Sequence, residues 1–188
     1  MSLKNLTEPV EPVEARMESV THRMADSPDV IEEAELRDLA GYWAGKRQDG
    51  NLPSRRSIDP IEIGWALNRI YITERVEDPT RWRYVLAGEQ IEQAFRRNSL
   101  RGIGLDEILS PEAFRTVCLR WQPLDEGRAV YMRGQIYKAA DRYVPGARLM
   151  LPLSDDGARV TGMIGMSLTY FGDSPVANVP LQLWSIAL

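Results

Sequence analysis

The sequence has a single cysteine, Cys118, and a single histidine, His22. One cysteine excludes a disulfide within the chain, and one histidine excludes a zinc site or a proton relay that needs two imidazoles. Acidic residues outnumber basic residues by 27 to 23, so the chain has no global attraction for a phosphate backbone. No apolar run approaches the roughly 18 residues that cross a bilayer, and no signal peptide is visible. We therefore expect a cytoplasmic protein that has neither a membrane nor a nucleic acid as its partner.

The 188 residues suit one globular domain with an appendage. Residues 1–26 contain Glu-Pro-Val twice and few large apolar groups, which predicts a mobile tail. An amphipathic helix over 13–24 is the alternative for this segment. Residues 27–50 predict a flanking helix, because Ser27 can cap its first turn and an apolar stripe follows at helical spacing, formed by Leu36, Leu39, Ala40 and Trp43.

Residues 51–174 carry the strand and helix patterns of the main domain, and residues 175–188 form an apolar C-terminal extension. The predicted elements are, in order, a short helix opened by Asp59-Pro60 and ending near Leu67, a β-hairpin over 70–86, several short helices within 88–124, and strands at 128–138, 148–153 and 160–171. This order predicts an α+β domain with a mainly antiparallel sheet of five strands and helices on one face.

Three short signatures occur in this order: Leu52-Pro53-Ser54-Arg55-Arg56-Ser57-Ile58-Asp59-Pro60, Tyr84-Val85-Leu86-Ala87-Gly88, and Leu151-Pro152-Leu153 followed by Asp156-Gly157. Together they resemble a PAS-like family of uncharacterised bacterial proteins, over roughly residues 30 to 171. In that family a helix with a Trp-containing turn precedes the Leu-Pro-x-Arg segment, and Trp43 would be that residue. The resemblance implies a five-stranded antiparallel sheet with helices over one face, in a sensory or protein-interaction module.

Apolar residues occupy alternate positions along the predicted strands, and if these positions face the helices, they line a candidate ligand pocket. Its predicted lining is Tyr84, Leu86, Phe95, Phe114, Trp121, Met132, Ile136, Ile164 and Met166, with Leu168 on the same strand face. Methionines and aromatics adapt to small apolar ligands, but the same set also describes an ordinary filled core. Both interpretations stay open at this point.

The remaining candidate sites are predicted to be structural. Arg55 and Asp59 form a clasp between the first helix and the sheet, with an anionic ligand at the arginine as the alternative. Asp155 and Asp156 belong to a turn between strands rather than to a catalytic pair. Cys118 is expected to be a core residue, because no base accompanies it and its context differs from the Asn-Cys-Arg-Phe of flavin-binding PAS domains. We expect no catalytic residue, no metal and no cofactor.

The leading hypothesis is therefore a non-enzymatic sensory or interaction domain that binds a small apolar ligand or none. A homodimer or a signalling partner would be contacted through residues 27–50. One alternative is a small cone-barrel enzyme or hydrophobic-ligand carrier that uses carboxylate or tyrosine chemistry, which requires an acid inside the cavity. Another is an adaptor that binds a protein through its sheet and apolar C-terminus.

Overall fold

A single mixed sheet of eight strands organises the chain. The computed structural model describes residues 11–12, 20–76, 81–139, 142–170 and 178–188. The strands are β1 (Glu11–Pro12), β2 (Thr21–Ala25), β3 (Ile70–Arg75), β4 (Trp82–Ala87), β5 (Ala129–Ala139), β6 (Arg142–Leu153), β7 (Gly162–Thr169) and β8 (Gln182–Ile186). Their order is β2-β8-β5-β6-β7-β3-β4, with β1 paired to β5, and every pairing is antiparallel except that of β2 with β8.

The prediction of five strands is wrong, because segments assigned to the tail and to the extension join the sheet. Strand β8 inserts between β2 and β5, so the apolar C-terminal segment packs on its own domain. Leu183 faces one side of the sheet, and Trp184 and Ile186 face the other. Strand β2 was missed because its residues are mostly polar and exposed, and backbone pairing with β8 holds it in place. The rest of the predicted tail, apart from residues 11–12 and 20–26, lies outside the described residues.

The helices are shorter than the sequence predicts. They are α1 (Ala34–Gly45), α2 (Glu89–Ala94), α3 (Leu105–Ile108), α4 (Pro111–Arg120) and α5 (Gln122–Asp125). Ser27 accepts a hydrogen bond from the Asp29 N–H at 3.2 Å, but it caps a separate 3₁₀ turn rather than α1. Asp59 likewise opens turns and a 3₁₀ helix in place of the predicted α-helix. Ser110 is the N-cap of α4, as its Ser-Pro sequence indicates.

Helices cover both faces of the sheet, which corrects the prediction that they lie on one face. Helix α1 packs on one side, the α1 face, through Leu36, Leu39 and Trp43, and all three side chains are fully buried. Helices α2 to α5 pack on the other side, the cavity face. A Trp43 Nε1–H donates to the carbonyl oxygen of Pro152 at 2.8 Å, which fixes α1 to strand β6. The apolar stripe of α1 is thus occupied by the chain's own sheet.

The loop before β3 contacts α1 as the predicted clasp requires, but through other atoms. The Asp59 N–H donates to Tyr42 Oη at 2.8 Å, and the Asp59 carboxylate accepts from the Ile61 N–H at 2.8 Å. Arg55 lies in a 3₁₀ turn with an exposed side chain. The contact between loop and helix therefore uses the backbone of Asp59 and the hydroxyl of Tyr42.

Candidate ligand cavity

A small internal cavity lies between the cavity face of the sheet and helices α2 to α4. Its volume of about 20 Å³ corresponds to room for about one water molecule. The described residues that line it are mostly aromatic and aliphatic, with one cation: Tyr71, Tyr84, Ile91, Phe95, Leu105, Leu109, Val117, Trp121, Tyr137 and Arg148. The strands supply the tyrosines and Arg148, and the short helices supply the apolar wall and, at the end of α4, the indole of Trp121.

Arg148 brings a positive charge into this apolar region. Its side chain is only 4% exposed, because Arg148 lies on β6, a strand whose two faces are both covered. The Nε–H donates to Ser167 Oγ at 3.0 Å, and the guanidinium lies 4.8 Å from the centroid of the Tyr137 ring. Burial lowers the pKa of Arg148 to about 9, so the side chain is still charged at neutral pH.

Tyr71 is placed in the cavity by a glycine on the neighbouring strand. Tyr71 on β3 pairs with Gly165 on β7, and a Cβ at Gly165 would come within 2.3 Å of the Tyr71 Cζ atom. The absence of a side chain at Gly165 therefore makes room for the ring of Tyr71. The Tyr84 ring packs edge-on against it, with 6.0 Å between the centroids.

The tyrosines of the cavity stay protonated over the physiological range. Burial raises the pKa of Tyr71 and of Tyr84 well above the ordinary value, and it raises the pKa of Tyr137 to about 12. Their hydroxyls can accordingly donate hydrogen bonds. Within the described part of the chain, Tyr71 Oη and Trp121 Nε1 are buried without a hydrogen-bond partner. Each such group costs about 1–3 kcal/mol unless an acceptor reaches it.

An open groove adjoins the internal cavity on its outer side. Its volume is about 370 Å³, and its described lining is Arg75, Trp82, Phe114, Arg115, Cys118, Leu119, Trp121, Gln122 and Asp125. Among the described lining residues, only Trp121 borders both spaces. Trp82 packs edge-on against Trp121 with 6.1 Å between centroids, and the Arg75 guanidinium lies 4.3 Å above the Trp82 ring. We call this space the outer groove.

A larger groove of about 660 Å³ along β4 has a different character. Its described lining includes charged side chains that already pair with acids. Arg83 Nη2 lies 2.6 Å from Glu74 Oε1, and Arg81 Nε lies 3.0 Å from Asp106 Oδ2. These exposed pairs satisfy one another, whereas the Nε of Arg75, which lines both this groove and the outer groove, is buried without a hydrogen-bond partner among the described residues.

The structure brings together only part of the predicted pocket. Tyr84, Phe95 and Trp121 line the internal cavity, and Phe114 lines the outer groove. Met132 and Ile136 belong to the core of the same face without being part of the described cavity lining. Ligand binding by these residues stays a prediction.

Leu86, Ile164 and Met166 lie on the α1 face, so the prediction that they face helices α2 to α5 is wrong. Leu168 lies there as well. On β4 the register shifts between the pairs Ile72↔Leu86 and Thr73↔Tyr84, and this bulge turns Leu86 to the opposite face from Tyr84. On β7 nearly every residue is buried, so the apolar parity does not distinguish the two faces.

Sequence reasoning missed Tyr71, Tyr137 and Arg148. Tyr71 lies between Ile70 and Ile72, and the sequence pattern places these two isoleucines on the inward face of the strand, so Tyr71 is expected to face outward. Arg148 lies at the start of its predicted strand, where an arginine is typically exposed. One signal was available: a glycine inside a strand indicates the close approach of another group, and here Gly165 approaches Tyr71.

Asp156 holds the loop between β6 and β7. Asp156 Oδ1 accepts hydrogen bonds from the N–H groups of Ala158 and Arg159, at 2.9 and 2.8 Å, and from Ser154 Oγ at 2.9 Å. The predicted turn at this position is confirmed. Cys118 is half-buried on α4 and borders the outer groove.

Neither a metal site nor a membrane helix is found in the described residues. No three His, Cys, Asp or Glu side chains come together there as ligands for an ion. The helices of that part of the chain also lack the length and the apolar character needed to cross a bilayer.

Comparison with known proteins identifies the family. A search of curated proteins and a search of solved structures gave no match. A family model described as a PAS domain matches residues 31–167, well over half of the chain, and this range contains α1, the cavity helices and strands β3 to β6. The resemblance seen in the three sequence signatures is thereby confirmed, and the chain belongs to the PAS domain family.

Proposed function

We propose that this PAS domain is a non-enzymatic sensory module that holds a small ligand between the sheet and helices α2 to α4. The observation that carries the proposal is the pair of buried donors, Tyr71 Oη and Trp121 Nε1, beside the buried charge of Arg148. A purely structural core gains stability from apolar side chains, and unpaired polar groups reduce that stability. A ligand that reaches these groups would recover the lost hydrogen bonds.

Strand β3 offers a direct route from the ligand to α1. Tyr71 faces the cavity, while its neighbours Ile70 and Ile72 pack in the core of the α1 face together with Trp43. Any shift of β3 that accompanies ligand binding moves groups on both sides of the sheet. The ligand would change the output only through different affinities for two packings of α1.

Helix α1 is our candidate for the output element. Its buried stripe is held by the sheet, and Arg37, Asp38 and Ala44 are exposed on its outer side. A signalling partner or a second copy of the chain would be contacted through this outer side.

The enzyme alternative requires an acid that projects into the cavity. None of the described residues that line the internal cavity is Asp or Glu. This composition favours binding over acid–base chemistry at the site.

Native mass spectrometry of the full chain, purified without denaturant, tests the proposal. We expect one stoichiometric small molecule, or, from a chain purified empty, a rise in Tm with at least one member of a chemically mixed metabolite library. Hydrogen exchange should then show changed protection in α1 as well as in α2 to α4. An empty chain that no compound of any class stabilises would refute the sensory function, and a ligand without any effect on α1 would refute the β3 route.

A further inference from the structure

We propose that the outer groove is a second small-molecule site, for a neutral, flat aromatic compound that carries a hydrogen-bond acceptor. The groove lies between α4, α5 and the end of the β3–β4 hairpin, and its ligand is separate from that of the internal cavity. The inference therefore goes beyond the function proposed above and does not depend on it. It rests on the apolar wall of the groove, on one buried donor, and on a positive charge that is already paired.

The wall of the groove is a second apolar side of α4. Ala113 and Val117 of this helix pack in the core, whereas Phe114, Cys118 and Leu119 line the groove. Leu119 is 64% exposed, so a ligand that covers it removes apolar surface from water. The volume of about 370 Å³ falls in the range of roughly 300–1,000 Å³ that is usual for small-molecule sites.

The floor of the groove is aromatic. Trp82 and Trp121 both line it and are nearly fully buried, and their rings meet edge-on at 77°. The half-buried ring of Phe114 stands on the wall beside them. Aromatic rings pack favourably against one another in offset and edge-on arrangements. A flat aromatic body is therefore the shape that this lining favours.

Arg75 gives the groove a donor that lacks an acceptor. Its Nε–H is buried without a hydrogen-bond partner among the described residues, while its Nη2 donates to Asp125 Oδ1. The guanidinium carbon lies 4.3 Å from the centroid of the Trp82 ring. The Arg75 side chain is 18% exposed, so a small rotation of the guanidinium brings the Nε–H to the groove. A ligand atom that accepts this hydrogen bond would remove the cost of the unpaired donor.

The charges around the groove favour a neutral ligand. Arg75 is paired with Asp125, so an anion at Arg75 would be repelled by the Asp125 carboxylate, and a cation there would be repelled by the guanidinium. Arg115 also lines the groove, but it is exposed, and water and salt screen its charge. A neutral acceptor gains the hydrogen bond to Arg75 without either repulsion.

Quinoline and naphthalene are matched probes for this inference. The two molecules have the same shape, but only quinoline has a ring nitrogen that accepts a hydrogen bond, and it is uncharged at neutral pH. Each is titrated into the isotope-labelled full chain, and binding is followed by the NMR signals of the backbone amides and of the arginine Nε–H groups. We expect quinoline to bind about tenfold more tightly than naphthalene and to shift the Arg75 Nε–H signal. Equal affinities, or tighter binding of the naphthoate anion than of quinoline, would overturn the inference.

Two substitutions test the donor and the wall. Arg75→Met removes the donor and leaves Asp125 half exposed to water, so the fold should persist while quinoline loses its advantage over naphthalene. An equal loss for both probes would mean that Arg75 only supports the groove, and the acceptor class would be wrong. Leu119→Ala should weaken both probes about threefold. Leu67→Ala is the matched control, since Leu67 is also exposed but is not part of the described groove lining, and it should leave both affinities unchanged.

The signals that shift show which space is occupied. Ile91 on α2 and Leu105 on α3 line the internal cavity and are not part of the described groove lining. Shifts at these two residues, with none at Leu119 or Arg75, would place quinoline in the internal cavity and overturn the inference. If neither probe binds and ultracentrifugation shows a dimer that Leu119→Ala dissociates, the groove is a contact between copies of the chain and the inference is wrong. In each of these cases the sensory function, which concerns the internal cavity, still stands on its own test.

Discussion

Replacing Trp43 by phenylalanine tests how firmly α1 is fixed to the sheet. Trp43 is fully buried, and its Nε1–H donates to the Pro152 carbonyl at 2.8 Å. Phenylalanine keeps a ring in the core but removes this donor, which leaves a buried carbonyl without it at a cost of about 1–3 kcal/mol. The smaller ring also gives up buried apolar area worth about 1 kcal/mol. We therefore expect Trp43→Phe to lower the free energy of unfolding by about 2–4 kcal/mol.

Equilibrium unfolding in urea measures this change, and Trp65→Phe is the matched control. Trp65 is 43% exposed, so the same substitution there should change the free energy of unfolding by no more than about 0.5 kcal/mol. Circular dichroism should be the probe, because either substitution changes tryptophan fluorescence directly. Equal stability of the two variants would refute the view that the indole hydrogen bond anchors α1.

Three further substitutions test other parts of the structure. Gly165→Ala should lower the free energy of unfolding by about 1–3 kcal/mol, because the new Cβ meets the ring of Tyr71. Gly41→Ala, in open space on α1, should instead raise the free energy of unfolding by up to about 1 kcal/mol. Equal effects of the two substitutions would contradict the packing of Tyr71 against Gly165. Asp156→Asn should lower the Tm at neutral pH. Hydrogen bonds hold the pKa of Asp156 in the folded protein below its usual 3.8. The difference in Tm between the variant and the wild type should therefore vanish as the pH falls below 3.8 and the wild-type carboxylate becomes protonated, and a constant difference in Tm would contradict this cause. Arg128 donates hydrogen bonds to Ala25 and Ser185, on strands β2 and β8. Arg128→Met should therefore lower the free energy of unfolding by about 1.5–3 kcal/mol and speed hydrogen exchange in both strands. Unchanged hydrogen exchange in β2 and β8 would contradict this role of Arg128.

The sequence predicts the elements whose signals are local. The hairpin of β3 and β4, the strands β5 and β7, and helix α4 occur close to their expected positions, because alternation and the Ser-Pro cap act within a few residues. Strand β6 begins earlier than expected, at Arg142, since Pro145 and Gly146 indicate a break. In the structure Pro145 pairs with Gln135 beside a bulge, a position in a strand where proline is tolerated.

The faces of the sheet and the polar part of the cavity depend on long-range packing. Nothing in the local pattern of β7 tells which side meets α1, since Met163 and Ile164 are both fully buried on opposite faces. The bulge that turns Leu86 away from Tyr84 exists only once β3 and β4 are paired. Tyr71 on β3 and Arg148 on β6 line the same cavity although β7 lies between their strands in the sheet. No short sequence motif predicts that these two residues come to the same cavity wall.

The position of β8 has a consequence for the order of folding. This strand fills the gap between β2 and β5, and its partner Thr21–Ala25 lies most of the chain away in sequence. Contacts of such large separation close late, after local hairpins have formed. Until β8 arrives, the β5 edge it covers exposes a row of unpaired backbone groups to other molecules. High expression or mild heating should therefore favour intermolecular strand pairing at this edge before the rest of the sheet is lost.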